Sequence, residues 1–211
     1  MRTLAILFVS VVALSVQCTA ATLLDENFDE LSPTLSATSV GAFSAISGTN
    51  VDIVGGTLFG GLCVTPESGN CVDLDGSGGS SQGILQTNTP IMLAPGVDYF
   101  LSFDLIGSQR GNTTSTTVSF GPYTETFMLA SGDDTSGIVS NQLVTVSSAT
   151  TANLTFTSNT PGDVGSLLDN VVVTSGAATV PEPTGAILIC GGLAALLWLG
   201  SRTKAGAHRA D

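Results

Sequence analysis

Short apolar stretches that alternate with polar residues dominate the chain before residue 179. In Val97–Ile106 (VDYFLSFDLI), every second side chain from Val97 to Leu105 is apolar, which is the period of a strand with one buried face. Ser39–Ile46 alternates more loosely, and similar stretches recur about every 8–12 residues between glycine-rich and polar turns. No segment before Thr179 has apolar residues at helical spacing over three turns. The pattern predicts an all-β fold, a two-sheet β-sandwich over residues 21–176.

Both ends of the chain have a different pattern. Met1-Arg2 precedes an uncharged apolar core, Leu4–Val16, and small residues follow it up to Ala20. This order predicts a signal peptide over residues 1–20, removed by signal peptidase after Ala20. Near the other end, Gly185–Gly200 is uncharged and apolar, and as a helix it would extend about 24 Å. We expect a transmembrane helix over residues 185–201.

The residues around this apolar run give it an orientation. A linker over residues 177–184 precedes it, and the only basic residues that flank it lie on its C-terminal side, in the tail at residues 202–211. Basic residues favour the cytoplasmic side, so the tail should remain in the cytoplasm and the sandwich should face outward.

The order of these C-terminal segments resembles the PEP-CTERM sorting signal of bacterial exported proteins. The resemblance depends on Val180, Pro181, Glu182 and Pro183, followed by the apolar run and then Arg202 and Lys204. It implies processing by a membrane-embedded exosortase near the Pro-Glu-Pro sequence and release to the cell surface or extracellular matrix. The basic residues are more widely spaced than is usual in that family. The alternative is an ordinary C-terminal membrane anchor after a proline-containing linker.

Charge limits the functions of the exported segment. Residues 21–179 contain 15 acidic residues and one basic residue, Arg110, so nucleic acid is not an expected partner. The single histidine of the chain, His208, lies in the C-terminal tail, which excludes a histidine-based catalytic site from this segment. A pair of catalytic carboxylates has no recognisable spacing here. We therefore expect a non-catalytic protein.

Two cysteines remain in the exported segment once the signal peptide and the apolar run are set aside. Cys63 and Cys71 are separated by seven residues that include Pro66, Gly69 and Asn70. Nearby cysteine pairs in exported domains usually form disulfides, so we predict a Cys63–Cys71 bond.

Three sequence stretches resemble the galactose-binding-like jelly roll of carbohydrate-binding modules. They are LLDENF (23–28), YFLSFDLIGSQRG (99–111) and LLDNVVV (167–173). The resemblance implies that the first and last strands lie close together, with Phe28 near Val171. It also implies extracellular polysaccharide as a partner.

Four residues are candidates for ligand or metal binding. Asp73 and Asp75 lie in a glycine-rich stretch whose alternate oxygens resemble the start of a calcium loop. A structural Ca²⁺ site there would need distant carboxylates such as Asp169, and the alternative is a solvent-facing turn. Arg110 either binds a ligand oxygen or pairs with a carboxylate such as Asp104. Alternation directs Tyr99 to the core, which leaves Tyr123 as the exposed tyrosine for a sugar.

These features lead to two hypotheses for the function. The first is an exported, surface- or matrix-associated, non-catalytic β-sandwich protein sorted through a C-terminal PEP-CTERM signal. The second is a calcium-dependent carbohydrate-binding module that acts on extracellular polysaccharide.

Overall fold

Fifteen β-strands make up the regular structure of the described residues. A computed structural model describes residues 20–176 except 57, 60, 64–68 and 79–81. The strands are β1 Ala21–Glu26, β2 Thr34–Ala37, β3 Ser39–Val40, β4 Phe43–Ala45, β5 Val51–Val54, β6 Cys71–Asp73, β7 Ile84–Thr87, β8 Ile91–Leu93, β9 Tyr99–Ile106, β10 Thr114–Phe120, β11 Tyr123–Leu129, β12 Val139–Val144, β13 Thr150–Ala152, β14 Leu154–Ser158 and β15 Leu167–Ser175.

All pairings between these strands are antiparallel, and they form two main sheets. The larger sheet has the order β12-β9-β15-β6-β5-β2, and β1 also pairs with β15. The smaller sheet has the order β11-β10-β14-β7-β4-β3, and β8 and β13 form a separate two-stranded ribbon. The predicted all-β, two-sheet sandwich is confirmed.

Phenylalanine rings from both sheets meet in the core. Phe103 of the larger sheet lies 5.4 Å from Phe156 and 5.7 Å from Phe127 of the smaller sheet, measured between ring centroids. Phe156 in turn contacts Phe43 at 6.2 Å, and Phe43 contacts Phe28 at 6.1 Å. Three of these four contacts are edge-to-face and the Phe28–Phe43 contact is tilted. Edge-to-face rings at these distances are favourable, so the aromatic row helps to fix one sheet against the other.

Strand β9 confirms the alternation on which the fold prediction depends. Tyr99, Leu101, Phe103 and Leu105 are buried, while the residues between them are half-buried. The strand begins at Tyr99, so Val97 and Asp98 precede it. Ser39–Ile46 is not one strand, because it turns between Val40 and Phe43, where Gly41 has φ +55°.

The first and last strands of the sandwich pair with each other. Ala21 lies opposite Ser175 and Glu26 lies opposite Val171 in the β1–β15 register. Phe28 follows two residues later and belongs to the same buried cluster as Val171. The expected proximity of these strands is confirmed.

The predicted signal peptide, linker, transmembrane helix and basic tail lie outside the described residues. Within the described part of the chain, no helix has the length and apolarity needed to cross a membrane.

Candidate functional site

One end of the sandwich contains a buried polar cluster centred on the segment Asp73–Asp75, where the chain leaves β6. Leu167 of β15 pairs with Ile106 of β9 on one side and with Asp73 of β6 on the other. The last residue of β9 and Asp73 therefore lie in one row across the sheet. The loop that follows β9 carries Arg110 back toward this row.

Asp73 is engaged through both of its carboxylate oxygens. Its Oδ2 forms an ion pair with Nη2 of Arg110. Its Oδ1 accepts hydrogen bonds from the backbone N–H groups of Asp75 at 3.1 Å and Gly165 at 2.9 Å. Only 1% of Asp73 is exposed. The carboxylate thus connects β6 to the loop after β9 and to the segment before β15.

Asp75 connects the same segment to the smaller sheet. Its Oδ1 accepts a hydrogen bond from the N–H of Gly83 at 3.1 Å, just before β7. Its Oδ2 accepts one from the hydroxyl of Ser158 at 3.0 Å, the last residue of β14. Asp75 is fully buried. We refer to Asp73, Asp75, Gly83, Arg110, Ser158 and Gly165 as the carboxylate network.

Burial controls the protonation of this network. It raises the pKa of Asp73 from 3.8 to about 7, against the hydrogen bond from Asp75, the positive charge of Arg110 and the hydrogen bond from Gly165. Burial likewise raises the pKa of Asp75, opposed by the bonds from Gly83 and Ser158 and then by Arg110. The enclosed carboxylates hold loops and strand ends together and are not exposed to a ligand.

The network does not fit a bound calcium ion. Calcium takes six to eight oxygen ligands at about 2.3–2.6 Å. Each carboxylate oxygen of Asp73 and Asp75 faces an N–H or O–H donor instead. Among the described residues, no group of three or more acidic, histidine or cysteine side chains could hold a metal.

Arg110 pairs with a carboxylate, as one of its two predicted alternatives has it, but the partner is Asp73 and not Asp104, the example suggested by the sequence. Asp104 lies opposite Asp169 in the β9–β15 register, and its carboxylate accepts a hydrogen bond from the side-chain amide of Asn170 at 2.8 Å. Arg110 instead reaches Asp73, because Asp73 shares a row with the end of β9.

Tyr123 lies at the far end of β10 from Arg110, since Arg110 precedes this seven-residue strand and Tyr123 follows it. Its hydroxyl donates to Oε2 of Glu125 at 2.7 Å. Burial, this hydrogen bond and the charge of Glu125 raise the pKa of Tyr123. The two residues predicted to contact a ligand therefore do not form one site.

The predicted Cys63–Cys71 disulfide is present, with the two Cα atoms 5.8 Å apart. Cys71 is fully buried and packs with Val54, Ile106 and Leu167. It lies on β6 two residues before Asp73, so the disulfide and the carboxylate network share a strand.

Sequence reasoning missed a cleft of about 860 Å³ at the opposite end of the sandwich. It is lined by Ser119, Gly121, Pro122, Thr145, Val146, Ser147, Ser148, Thr150, Thr151, Ala152 and Asn153. None of these side chains is charged. The hydroxyl residues among them are spread over two strands, β10 and β13, and the loop between β12 and β13. Such residues have no characteristic spacing in the sequence, so only the fold reveals that they converge.

Several of the cleft hydroxyls have no hydrogen-bond partner among the described residues. They belong to Ser119, Thr145, Ser147, Ser148 and Thr151. Both the donor and the acceptor capacity of these groups is therefore available to solvent or to a ligand.

The predicted sorting residues Val180, Pro181, Glu182 and Pro183 lie outside the described part of the chain.

No protein-family model matches the sequence, and no curated protein matches it at a significant level. Among solved structures, the CBM22-1–CBM22-2 tandem domain of Paenibacillus barcinonensis Xyn10C is 11% identical with a TM-score of 0.47. That match covers 80% of this chain and 49% of the other. The K3 cleaved adhesin domain of Lys-gingipain from Porphyromonas gingivalis is 16% identical with a TM-score of 0.46. It covers 74% of this chain and 98% of the other.

A third similar structure contains the CBM22-1 and GH10 modules of Clostridium thermocellum xylanase 10B complexed with xylohexaose. It is 13% identical with a TM-score of 0.44, and the match covers 77% of this chain and 30% of the xylanase chain. Because these three TM-scores are below 0.5, the assignment of a two-sheet sandwich depends on the strand topology alone.

Proposed function

We propose that this chain is an exported, non-catalytic β-sandwich protein that acts at the cell surface or in the extracellular matrix and is delivered there by a PEP-CTERM signal. The Cys63–Cys71 disulfide is the observation that carries this proposal. Disulfides persist in oxidising compartments outside the cytoplasm. The apolar segment near the N-terminus would direct export as a signal peptide, and the Pro-Glu-Pro sequence with its apolar run near the C-terminus would direct sorting.

The carboxylate network supports a structural, non-catalytic role. Asp73 and Asp75, whose pKa values burial raises, are enclosed and engaged by backbone and side-chain donors. A catalytic acid or base must come within hydrogen-bond reach of its substrate. These carboxylates instead join loops of the two sheets to each other.

The sorting signal is tested by replacing Glu182 with Ala. If an exosortase processes the chain near Pro181-Glu182-Pro183, the wild-type mature protein ends close to this motif and lacks Gly185–Gly200. Glu182→Ala should leave a longer, membrane-retained form, because the change spares the apolar run and its flanking charges. Intact-mass measurement after expression in an exosortase-containing host distinguishes the two products.

A neighbouring substitution and a second strain control this experiment. Thr179→Ala, just before the motif, should be processed like the wild type, and an exosortase-deficient strain should accumulate the longer form of both. Full-length C termini in wild type and Glu182→Ala alike would show an ordinary membrane anchor.

The cleft favours extracellular polysaccharide as a second candidate function. Its uncharged lining and its available hydroxyls suit a neutral, hydroxyl-rich ligand, which the acidic surface of the chain would not repel.

A glycan array tests this candidate function. The wild-type chain should show saturable binding, and Ser147→Glu, which places a charge in the cleft, should lose it. Ser140→Glu on exposed β12 is the matched control. Absence of binding, or equal binding by both variants, would contradict a glycan site in this cleft.

A further inference from the structure

We propose that Arg110 takes the place of a structural cation in this sandwich, so that the guanidinium group neutralises the buried Asp73–Asp75 segment and the fold needs no divalent ion. This inference concerns the end of the domain opposite the cleft, and it does not depend on the sorting signal or on a glycan ligand.

The position of Arg110 is the first argument. Residues 21–179 contain 15 acidic residues and this single basic one. Arg110 pairs with Asp73, which is 1% exposed, and not with one of the exposed carboxylates. A surface ion pair contributes little to stability, whereas an unpaired buried carboxylate is costly. The one basic residue of this segment therefore pairs with a carboxylate that is almost completely shielded from solvent.

The oxygen atoms give the second argument. Asp73 Oδ1 accepts two backbone N–H groups, and Asp73 Oδ2 faces Arg110. Both oxygens of Asp75 accept a donor, Gly83 N–H and the Ser158 hydroxyl. The Ser158 hydroxyl itself accepts the N–H of Thr160 at 3.3 Å. Since N–H groups cannot coordinate a metal, a calcium ion would have to displace these donors.

Close packing holds the backbone donors against the two carboxylates. A Cβ atom built on Gly165 would lie 2.5 Å from the backbone nitrogen of Asp75 and 2.6 Å from Asp73 Oδ1. A Cβ atom on Gly83 would lie 1.9 Å from the carbonyl oxygen of Leu74. Both glycines thus hold their backbone against the Asp73–Asp75 segment, with no room for a side chain between them.

The charge of Arg110 reaches both carboxylates. It lowers the pKa of Asp73, against the effect of burial. It also lowers the pKa of Asp75, although less than the hydrogen bonds from Gly83 and Ser158 do. The guanidinium is also a permanent charge with a fixed set of donors, unlike an exchangeable ion. One side chain therefore does the neutralising work that a calcium ion would do at such a carboxylate pair.

Thermal unfolding of the purified full-length chain in a non-ionic detergent tests the proposal. The wild-type Tm should be the same in millimolar calcium chloride and in excess EDTA, because no ion binds the native state alone. At pH 8, where Asp73 is mostly ionised, Arg110→Gln should lower the Tm by about 5–10 °C by leaving a buried charge unpaired. Adding Asp73→Asn to this variant should restore part of the loss, since two amides can hydrogen-bond without charge.

Two further variants make the result specific. Arg110→Lys keeps the positive charge and should fall between the wild type and Arg110→Gln. Glu30→Gln removes an exposed charge and should leave the Tm unchanged. A calcium-dependent rise in the wild-type Tm would overturn the proposal. So would an Arg110→Gln variant as stable as Glu30→Gln. The calcium and EDTA comparison decides the question even if Arg110→Gln does not fold.

Discussion

The two tyrosines of the sandwich show how differently one residue type is used. Tyr99 on β9 is 4% exposed, and its hydroxyl accepts the N–H of Ala94 at 2.8 Å and donates to the carbonyl of Met92 at 3.3 Å. Tyr123 directs its hydroxyl to the exposed carboxylate of Glu125. The first hydroxyl fixes the turn between β8 and β9, and the second fixes no backbone.

Removing each hydroxyl should therefore have unequal effects. Tyr99→Phe leaves a backbone N–H and a carbonyl without their partner, and it should lower the free energy of unfolding by about 1–2 kcal/mol. Tyr123→Phe is the matched control and should change it by less than about 0.5 kcal/mol. Urea unfolding measures both values. Equal losses in the two variants would contradict the role assigned to the Tyr99 hydroxyl.

Sequence alternation predicts that Tyr99 is buried, but it cannot predict the partner of Arg110. Alternation is a local property, and it places each side chain on a face of its own strand. The partner of Arg110 depends on which strands lie beside β9 and in what register. Asp73 shares the row of Ile106 only because β15 pairs with both β9 and β6. This information is not local to residues 104–110, so the sequence predicts a carboxylate partner for Arg110 but suggests the nearby Asp104 as that partner.

At the level of the elements, strands with strict alternation and clear turns are predicted well. Val51–Val54, which is buried throughout, lies between polar residues and a glycine pair, and residues 99–105 alternate between buried and half-buried. Ser39–Ile46 shows the limit, because Gly41 sits within it and the chain reverses there. The N–H of Ala42 donates to Oε2 of Glu26 at 2.8 Å, so a residue 16 positions earlier supports that turn.

The two candidate sites differ in how far the sequence predicts them. The disulfide follows from compartment and spacing, and Asp73, Asp75 and Arg110 stand out as charged residues among glycines. The contacts that decide their chemistry come from Gly83, Ser158 and Gly165, which have no distinguishing side chain. The cleft is formed mainly by small residues, many of them hydroxyl residues that are common throughout the chain, so it can be recognised only from the folded structure.

For the whole molecule, the carboxylate network predicts that the domain is more stable in mild acid. The pKa of Asp73 rises from 3.8 to about 7 on folding, so the folded state binds the Asp73 proton more tightly than the unfolded state does. The contribution of this proton to the free energy of unfolding is complete below about pH 4 and is lost as pH rises through 7. Asp75 acts in the same direction. Three pKa units correspond to at most about 4 kcal/mol. Urea unfolding at pH 5 and pH 8 should show the larger free energy at pH 5.

Variants separate this effect from general repulsion among the acidic groups. The double variant Asp73→Asn with Arg110→Gln should remove much of the difference between the two pH values, because the titrating buried group is gone. Glu30→Gln removes one exposed acidic group and should leave the difference almost unchanged. A domain equally stable at both pH values would contradict the role given to burial.

The pairing of β1 with β15 has a mechanical consequence. The strands are antiparallel, and the outermost pair, Ala21 opposite Ser175, lies where the chain enters and leaves the sandwich. Tension applied between these two points would load the hydrogen-bonded pairs of β1 and β15 one after another, as in opening a zipper, and not all together in shear. A domain held at one terminus would carry no such load across this pair. The fold is therefore suited to attachment at a single point and poorly suited to serve as a link in a chain under tension.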